Sequence, residues 1–346
     1  MKAASTLDRP GSGRAGGRSP LCTALAVLLS LAVFLVLAEA TLRLYLASHT
    51  FYDVEMSRYA EELKIESPDP AIGHVHRPGA RARLMDVDVQ INADGLRDGD
   101  HRHQRDGRRR VLFLGDSLTF GWGVAQDATF AALLERTLDA RTPTEVVNFG
   151  TGNYNTSQEV GLFLDKGLAY EPDEVVVFYF INDAEPTPRK SRWWWLGRSR
   201  AATFYWSRAK ALWARISPGT TFEDYYAALY RADQPGWAET RRAFLRLAQA
   251  CTENGIALKV VLLPELHRLD AYPFAREHAL VVDFLRSNGI EVVDLAPRFA
   301  AVSAPQSLWV ARDDAHPNSR AHQLIADYSL PFLAGGGYEN RSENPP

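Results

Sequence analysis

The sequence predicts an α/β protein, a three-layer α/β/α sandwich on a central, mainly parallel five-stranded sheet, preceded by one N-terminal transmembrane helix. Three observations carry this. Short runs rich in Val, Leu and Ile recur after residue 110, at 111–116, 145–150, 174–183, 256–265 and 290–295. Amphipathic helical patterns fill most of the spaces between them, at 128–140, 157–170, 237–255 and 274–289. Continuous apolar strands alternating with such helices indicate a parallel sheet covered on both faces. The third observation is Leu21 to Ala38, eighteen residues without a charge.

That run meets the ~18-residue requirement for a spanning helix, and Thr41, Leu42 and Leu44 to Leu46 extend it. The leader 1–20 carries Lys2, Arg9, Arg14 and Arg18 against Asp8 alone. Positive residues stay inside, so the N-terminus is expected in the cytoplasm and the remainder outside it. The competing expectation is a cleaved signal peptide, since Ala38-Glu39-Ala40 has the small-x-small form of a cleavage site. The apolar run is longer than the ~7–15 residues of a signal core, which favours an anchor over residues 21–46.

Residues 47–109 read as a connecting region with a few short elements, among them an alternating strand pattern at 85–92. His101 and His103 form an H-x-H pair in a charged loop and are expected to be solvated rather than metal-bound. The regular pattern then runs over 110–334 and is interrupted by an insertion at 184–236. Residues 335–346 are expected to be disordered.

Composition narrows the function. A net charge of −3 over 346 residues argues against a dedicated nucleic-acid binder. With 46% hydrophobic and 11% aromatic residues, the chain has the material for a core, which excludes wholesale disorder. The two cysteines, Cys22 and Cys251, support neither a disulfide framework nor a Cys-rich metal site. No H-E-x-x-H or C-x-x-C motif is present, and none of the candidate chemistry calls for a cofactor. The G-x-S-x-G nucleophile elbow is absent too, and the Gly-rich stretch at 150–155 lacks the third glycine of a dinucleotide fingerprint.

Ligands of an open parallel sheet bind at the carboxyl ends of its strands. After the first strand comes Ser117, in a strand-to-helix turn where helix N–H groups favour developing negative charge. Taken alone it reads as an N-cap rather than a nucleophile. Asn182 follows the third strand and can offer a side-chain N–H at the same edge, or simply form a turn. Asp313 precedes His316 by three residues, a spacing that lets a carboxylate fix one tautomer and leave the other nitrogen as base. Together these supply nucleophile, base, orienter and amide donor, the minimum set for acyl transfer. Asp116 and Asp183 are expected to bond backbone around their turns. His267, past the fourth strand, lies on the ligand side and is read as a surface histidine.

The blocks VLFLGDSLTFGWGV, VVNFGTGNYNTSQE, VFYFIND and DDAHPN resemble, in order, the four signature blocks of the GDSL/SGNH hydrolase superfamily. Residues 70–110 also resemble the lead-in of its membrane-anchored bacterial members. The resemblance implies Ser117 as nucleophile and His316 as general base, oriented by Asp313. It implies an oxyanion hole from the Ser117 backbone N–H, the Asn182 side chain and a backbone N–H of the second block. At that last position the family usually has Gly; here ungapped counting reaches Asn153, with Gly152 just before it, and either can be the donor.

The insertion adds a further feature. Residues 189–215 hold eight Lys/Arg, no acid and five of the eight tryptophans. Such composition suits a membrane–water interface, a lid over the site, or a platform for sugar rings. The expected function is a membrane-anchored, exported serine esterase acting through an acyl-Ser117 intermediate, without metal or organic cofactor. The resemblance and the exported location point to an O-acyl or O-acetyl group on a glycan. Two alternatives stand beside it: an O-acyltransferase using the same residues, and a non-catalytic glycan-binding subunit.

Overall fold

The computed structural model describes residues 19–46, 49–187, 199–216 and 221–335. Nearly all of the expected leader and tail, and residues 188–198 and 217–220 of the insertion, lie outside the described residues. Helix α1 (Pro20–Leu46) opens the described chain. Its most apolar window has a mean hydropathy of 2.8 and buries nothing in the protein, so it has the length and composition to cross a bilayer.

The expected connecting region is instead a small packed unit. It holds α2 (Tyr52–Leu63), the antiparallel pair β1 (Lys64–Glu66) and β2 (His74–His76), and the hairpin β3 (Arg81–Leu84) and β4 (Val87–Gln90). The strand expected at 85–92 begins two residues later, because Met85 and Asp86 form the hairpin turn with φ of 49° and 61°. Two left-handed residues are what a tight hairpin turn requires, and the buried Glu55 carboxylate secures them by accepting the Met85 N–H at 2.8 Å. Tyr59, Leu63, Leu84, Val89 and Ile91 form a core with Phe120 and Trp122, so this unit is built onto the main domain. Arg97, 2% exposed, ties the same joint by donating to the carbonyls of Phe120 and Val124 at 2.9 and 2.6 Å.

The main domain follows as β5 (Arg109–Gly115), α3 (Ser117–Phe120), α4 (Phe130–Asp139), β6 (Thr144–Asn148), α5 (Thr156–Asp165) and β7 (Glu174–Tyr179). The insertion supplies α6 (Arg200–Ile216) and α7 (Phe222–Leu229). After it come α8 (Pro235–Glu253), β8 (Ala257–Leu262), α9 (Ala275–Ser287), β9 (Glu291–Asp294) and α10 (Ala296–Phe299). The antiparallel pair β10 (Trp309–Ala311) and β11 (Asp314–Pro317) leads into α11 (Ser319–Leu333).

Five strands form one sheet in the order β6-β5-β7-β8-β9, every neighbouring pair parallel. Alternate strand residues serve opposite faces. Leu112, Leu114, Val175 and Val177 pack with α5, α8 and α9, while Val111, Phe113, Val176 and Phe178 pack with α4 and α11. Both faces are covered, which is why the strands read as unbroken apolar runs and why the three-layer expectation holds. The strand order reverses between β5 and β7, and the crevice beyond their carboxyl ends is where such sheets bind ligands.

Candidate active site

Ser117 begins α3 directly after β5. The Asp116 carboxylate caps that helix, accepting the Leu118 N–H at 2.8 Å. Gly115 is required for the elbow: a Cβ there would meet Thr119 Oγ1 at 2.1 Å and Thr119 Cβ at 2.8 Å. Across the crevice, β11 carries His316, whose Nε2 lies 2.8 Å from Ser117 Oγ. The imidazole is therefore in place to take the hydroxyl proton.

The carboxylate behind the imidazole is not the one expected. Asp314 Oδ1 stands 2.5 Å from His316 Nδ1 and also accepts the His316 backbone N–H at 3.1 Å. Asp313 is exposed at the pocket rim. The reason is the conformation of the segment. Spacing of three assumes a turn, whereas β11 is extended, and residues two apart in a strand share a face. Asp313 lies before that strand, in the turn between β10 and β11. Asp314 is 4% exposed, and its Oδ2 accepts the Trp122 indole N–H at 2.8 Å. Burial opposes its charge, but the His316 hydrogen bonds and charge, with the Trp122 bond, outweigh burial and hold the carboxyl below its ordinary value.

Asn182 sits in the turn after β7 and lines the same pocket. Its Nδ2 donates to Asp116 Oδ2 at 3.0 Å, which aims the amide and leaves its second hydrogen for another acceptor. Asp183 accepts the Phe180 N–H at 2.8 Å, bonding backbone as expected. Burial first, then the Asp116 charge on Glu159 and the Glu159 and Asp116 charges on Asp183, push both neighbouring carboxyls well above the ordinary range. Burial likewise raises Asp116, against the Leu118 and Asn182 hydrogen bonds.

The second-block loop separates the two remaining candidates. The Gly152 N–H donates to Tyr59 Oη at 2.9 Å and so is already engaged. The Asn153 N–H meets no acceptor among the described residues, and Asn153 lines the Ser117 pocket in a left-handed conformation with φ of 65°. Asn is among the residues that tolerate that conformation best, so the Gly-to-Asn departure leaves the loop intact.

What grips this loop comes from the N-terminal unit. Lys64 Nζ donates to Gly152 O at 2.7 Å and to Asn153 Oδ1 at 2.8 Å. His74 Nε2 meets Gly152 O at 3.1 Å. Tyr59 Oη contacts His76 Nε2 at 2.7 Å, and His76 Nδ1 contacts Gly95 O at 3.2 Å. Burial, then the nearby Lys64 charge, push both imidazoles down to about 3, so they serve as neutral hydrogen-bonding groups. Burial also depresses Lys64 well below the ordinary lysine value. Tyr52 completes the set: its ring packs 5.6 Å from that of His316. None of these residues sits in a recognisable motif, and their one shared signal, aromatic and histidine side chains on short alternating runs, is common in surface loops.

The pocket at Ser117 measures about 320 Å³ and is lined in part by Phe222 and Tyr226 of the insertion. His267 lines it too and packs edge-on against Trp309 at 4.9 Å. Its Nδ1 is paired with the buried Glu265, a bond that raises its pKa against the effect of burial. His101, expected in a solvated loop, is instead paired with Glu145 at 3.0 Å and Asp98 at 3.1 Å. Among the described residues, no group of three or more His, Cys, Asp or Glu side chains is placed to hold a metal ion.

Comparison with known proteins identifies one family. The profile described as "GDSL-like Lipase/Acylhydrolase family" matches residues 113–324. No curated protein matches the chain. Among solved structures, a catalytic mutant of Axe2, an acetylxylan esterase from Geobacillus stearothermophilus, is 18% identical over 70% of this chain and 100% of its own, with a TM-score of 0.44. The acetyl xylan esterase AlAXEase is 18% identical over 65% and 99%, with a TM-score of 0.40. A putative lipolytic protein of the G-D-S-L family from Desulfitobacterium hafniense DCB-2 is 15% identical over 64% and 98%, with a TM-score of 0.42.

Proposed function

The chain belongs to the GDSL-like lipase/acylhydrolase family and is an ester-hydrolysing serine hydrolase; on that premise we propose a membrane-anchored, exported esterase that removes O-acyl or O-acetyl groups from a glycan. The observation that carries the mechanism is the unbroken line Ser117 Oγ, His316 Nε2, His316 Nδ1, Asp314 Oδ1, with gaps of 2.8 and 2.5 Å. Ser117 Oγ attacks the ester carbonyl as His316 takes its proton. Asp314 holds the imidazole in the tautomer that leaves Nε2 free and stabilises the imidazolium that forms. The oxyanion is received by the N–H groups of Ser117 and Asn153 and by the Asn182 side chain. Collapse breaks the bond to the alkoxy oxygen, which leaves with the proton from His316. Water, deprotonated by the same imidazole, then releases the acid from acyl-Ser117.

A pocket of about 320 Å³ lies at the small end for ligand sites, which supports a short acyl group over a long lipid chain. Its aromatic walls, Tyr52, Phe222 and Tyr226, suit the faces of a sugar ring. The exported side follows from the basic leader before α1. A second reading, O-acyl transfer to a polysaccharide hydroxyl, is favoured by the insertion residues Phe222 and Tyr226 that line the pocket, since excluding water protects the acyl-enzyme. Fluorophosphonate labelling of the full chain, beside hydrolysis of p-nitrophenyl acetate to octanoate, tests the proposal. One adduct on Ser117 with turnover greatest on acetate is expected, and Ser117→Ala should abolish both. Turnover persisting in Ser117→Ala overturns the mechanism. Labelling with turnover only when a glycan acceptor is added selects the transferase.

A further inference from the structure

The insertion helix α6 and the apolar helix α1 meet at one residue. Glu39 is the first acid on α1, nineteen residues beyond Pro20, which at 1.5 Å per residue places it roughly 28 Å along the helix. That is close to the ~30 Å thickness of a bilayer's hydrocarbon core. If α1 spans, as proposed above, Glu39 stands at the outer boundary. There its carboxylate accepts from Ser199 Oγ at 2.8 Å and from the backbone N–H groups of Arg200 and Ala201 at 3.1 and 2.9 Å. It also takes the Arg43 guanidinium at 2.7 Å. The start of α6 is thus pinned at the depth where the hydrocarbon ends.

From that point α6 presents two faces. Phe204 packs edge-on against Phe51 at 5.3 Å, with the Arg208 guanidinium about 5 Å from both rings, and this face holds the helix to the protein. The other face leaves Tyr205, Trp206, Leu212 and Trp213 between 60% and 68% exposed. These positions fall one, two, eight and nine residues after Phe204, so they form one stripe over two turns. Exposing two tryptophans to water is costly, whereas Trp and Tyr concentrate at membrane interfaces. The helix carries Arg200, Arg208, Lys210 and Arg215 and no acid, a balance that attracts anionic headgroups.

We infer that α6 lies in the outer membrane–water interface, with the Tyr205, Trp206, Leu212 and Trp213 stripe seated in lipid, and holds the catalytic pocket against the bilayer surface. The link to the pocket is short. Phe51 rests on α6, and the next residue, Tyr52, packs against His316. An ester presented at the membrane surface therefore reaches Ser117, while the tether and α6 together fix the height of the site.

The test uses the full chain reconstituted into phosphatidylcholine–phosphatidylglycerol vesicles. A Cys22→Ser, Trp213→Cys chain is labelled with an environment-sensitive fluorophore, Cys251 being buried. Blue-shifted emission quenched by a shallow lipid-borne spin label is expected, with a Cys22→Ser, Gln249→Cys control remaining water-like. Quenching by aqueous iodide to the level of the control overturns the inference. So does protection from both quenchers, which would mean that protein, a partner or a second copy, covers the stripe. The double variant Trp206→Ser, Trp213→Ser should hydrolyse a vesicle-embedded short-chain ester several-fold more slowly and soluble p-nitrophenyl acetate at the unchanged rate. Equal rates on the embedded ester overturn the functional part. Alkaline extraction of the membranes scores the span of α1 separately, so failure of the anchor and failure of the α6 contact are distinguishable.

Discussion

Exchanging Asp314 for Asn, with Asp313→Asn as its partner experiment, separates the carboxylate that the structure selects from the one that motif spacing selects. Asp314 is surrounded by donors: His316 Nδ1 at 2.5 Å and its backbone N–H at 3.1 Å on one oxygen, the Trp122 indole at 2.8 Å on the other. An Asn has only one oxygen to offer. Turned toward Trp122, it sets its NH₂ against Nδ1, forces the proton onto Nε2 and removes the base that faces Ser117. Turned toward His316, it leaves the indole N–H facing another donor in a buried site, at about 1–3 kcal/mol. In either orientation the charge that stabilises the imidazolium is gone. Loss of a triad carboxylate lowers kcat by about 10⁴, or roughly 5.5 kcal/mol. Asp314→Asn should show a fall of that size with a folded melting profile, read as kcat on p-nitrophenyl acetate and as the fluorophosphonate labelling rate. Asp313→Asn, exposed at the rim, should stay within about threefold of the parent. A hundredfold loss in Asp313→Asn with near-parental Asp314→Asn would refute the pairing.

The remaining predictions concern the donors and one buried histidine. Asn182→Ala should reduce kcat by about 10²–10³ with KM little changed, and a loss below tenfold would remove Asn182 from the oxyanion hole. Asn153→Gly keeps the N–H and suits φ of 65°, so it should retain activity within several-fold; a loss on the scale of Asn182→Ala would mean that the side chain, not the backbone, matters. Lys64→Met removes both bonds to the Gly152–Asn153 loop and should lower kcat roughly tenfold or more at constant KM, with Lys64→Arg partly restoring it; a change confined to melting temperature would make the role purely structural. Burial opposes protonation of His101, but its bonds and charge interactions with Asp98 and Glu145 raise it from 6.5 to about 9. A raised folded pKa stabilises the protein fully below 6.5, and that contribution is lost as pH rises to about 9. Thermal unfolding between those values should show a fall in the parent that His101→Gln lacks; parallel curves would contradict the assignment.

The sheet was legible because its pattern is local. Unbroken runs such as Val111–Leu114 and Val175–Phe178 are apolar on both alternating faces, which only a doubly covered strand requires, and the helices between them carry a single apolar face. Ser117 and Asn182 were legible for a related reason: each follows a strand directly, so its place at the carboxyl edge is inherited from the strand. The place of His316 beside Ser117 was legible through its motif, while its partner was not. Choosing between Asp313 and Asp314 needs the backbone conformation of 313–316, and that is set by pairing with β10, a contact invisible along the chain.

The N-terminal unit shows the same limit. Residues 47–109 look like a connection because their strands are three or four residues long, too short for a periodicity to register. Only docking against Phe120 and Trp122 gives Tyr59, Lys64, His74 and His76 a common target. That docking engages the Gly152 N–H, since Tyr59 comes from ninety-three positions earlier in the chain to accept it. The sequence alone thus determined the layers and the edge of the sheet at which Ser117 and Asn182 lie, because hydrophobic period and strand-end position are properties of neighbours in the chain. The tertiary structure alone decided that Asp314 faces His316, that Tyr59 occupies the Gly152 N–H and which face α6 turns outward, because each depends on which distant segment supplies the hydrogen bond or covers the surface.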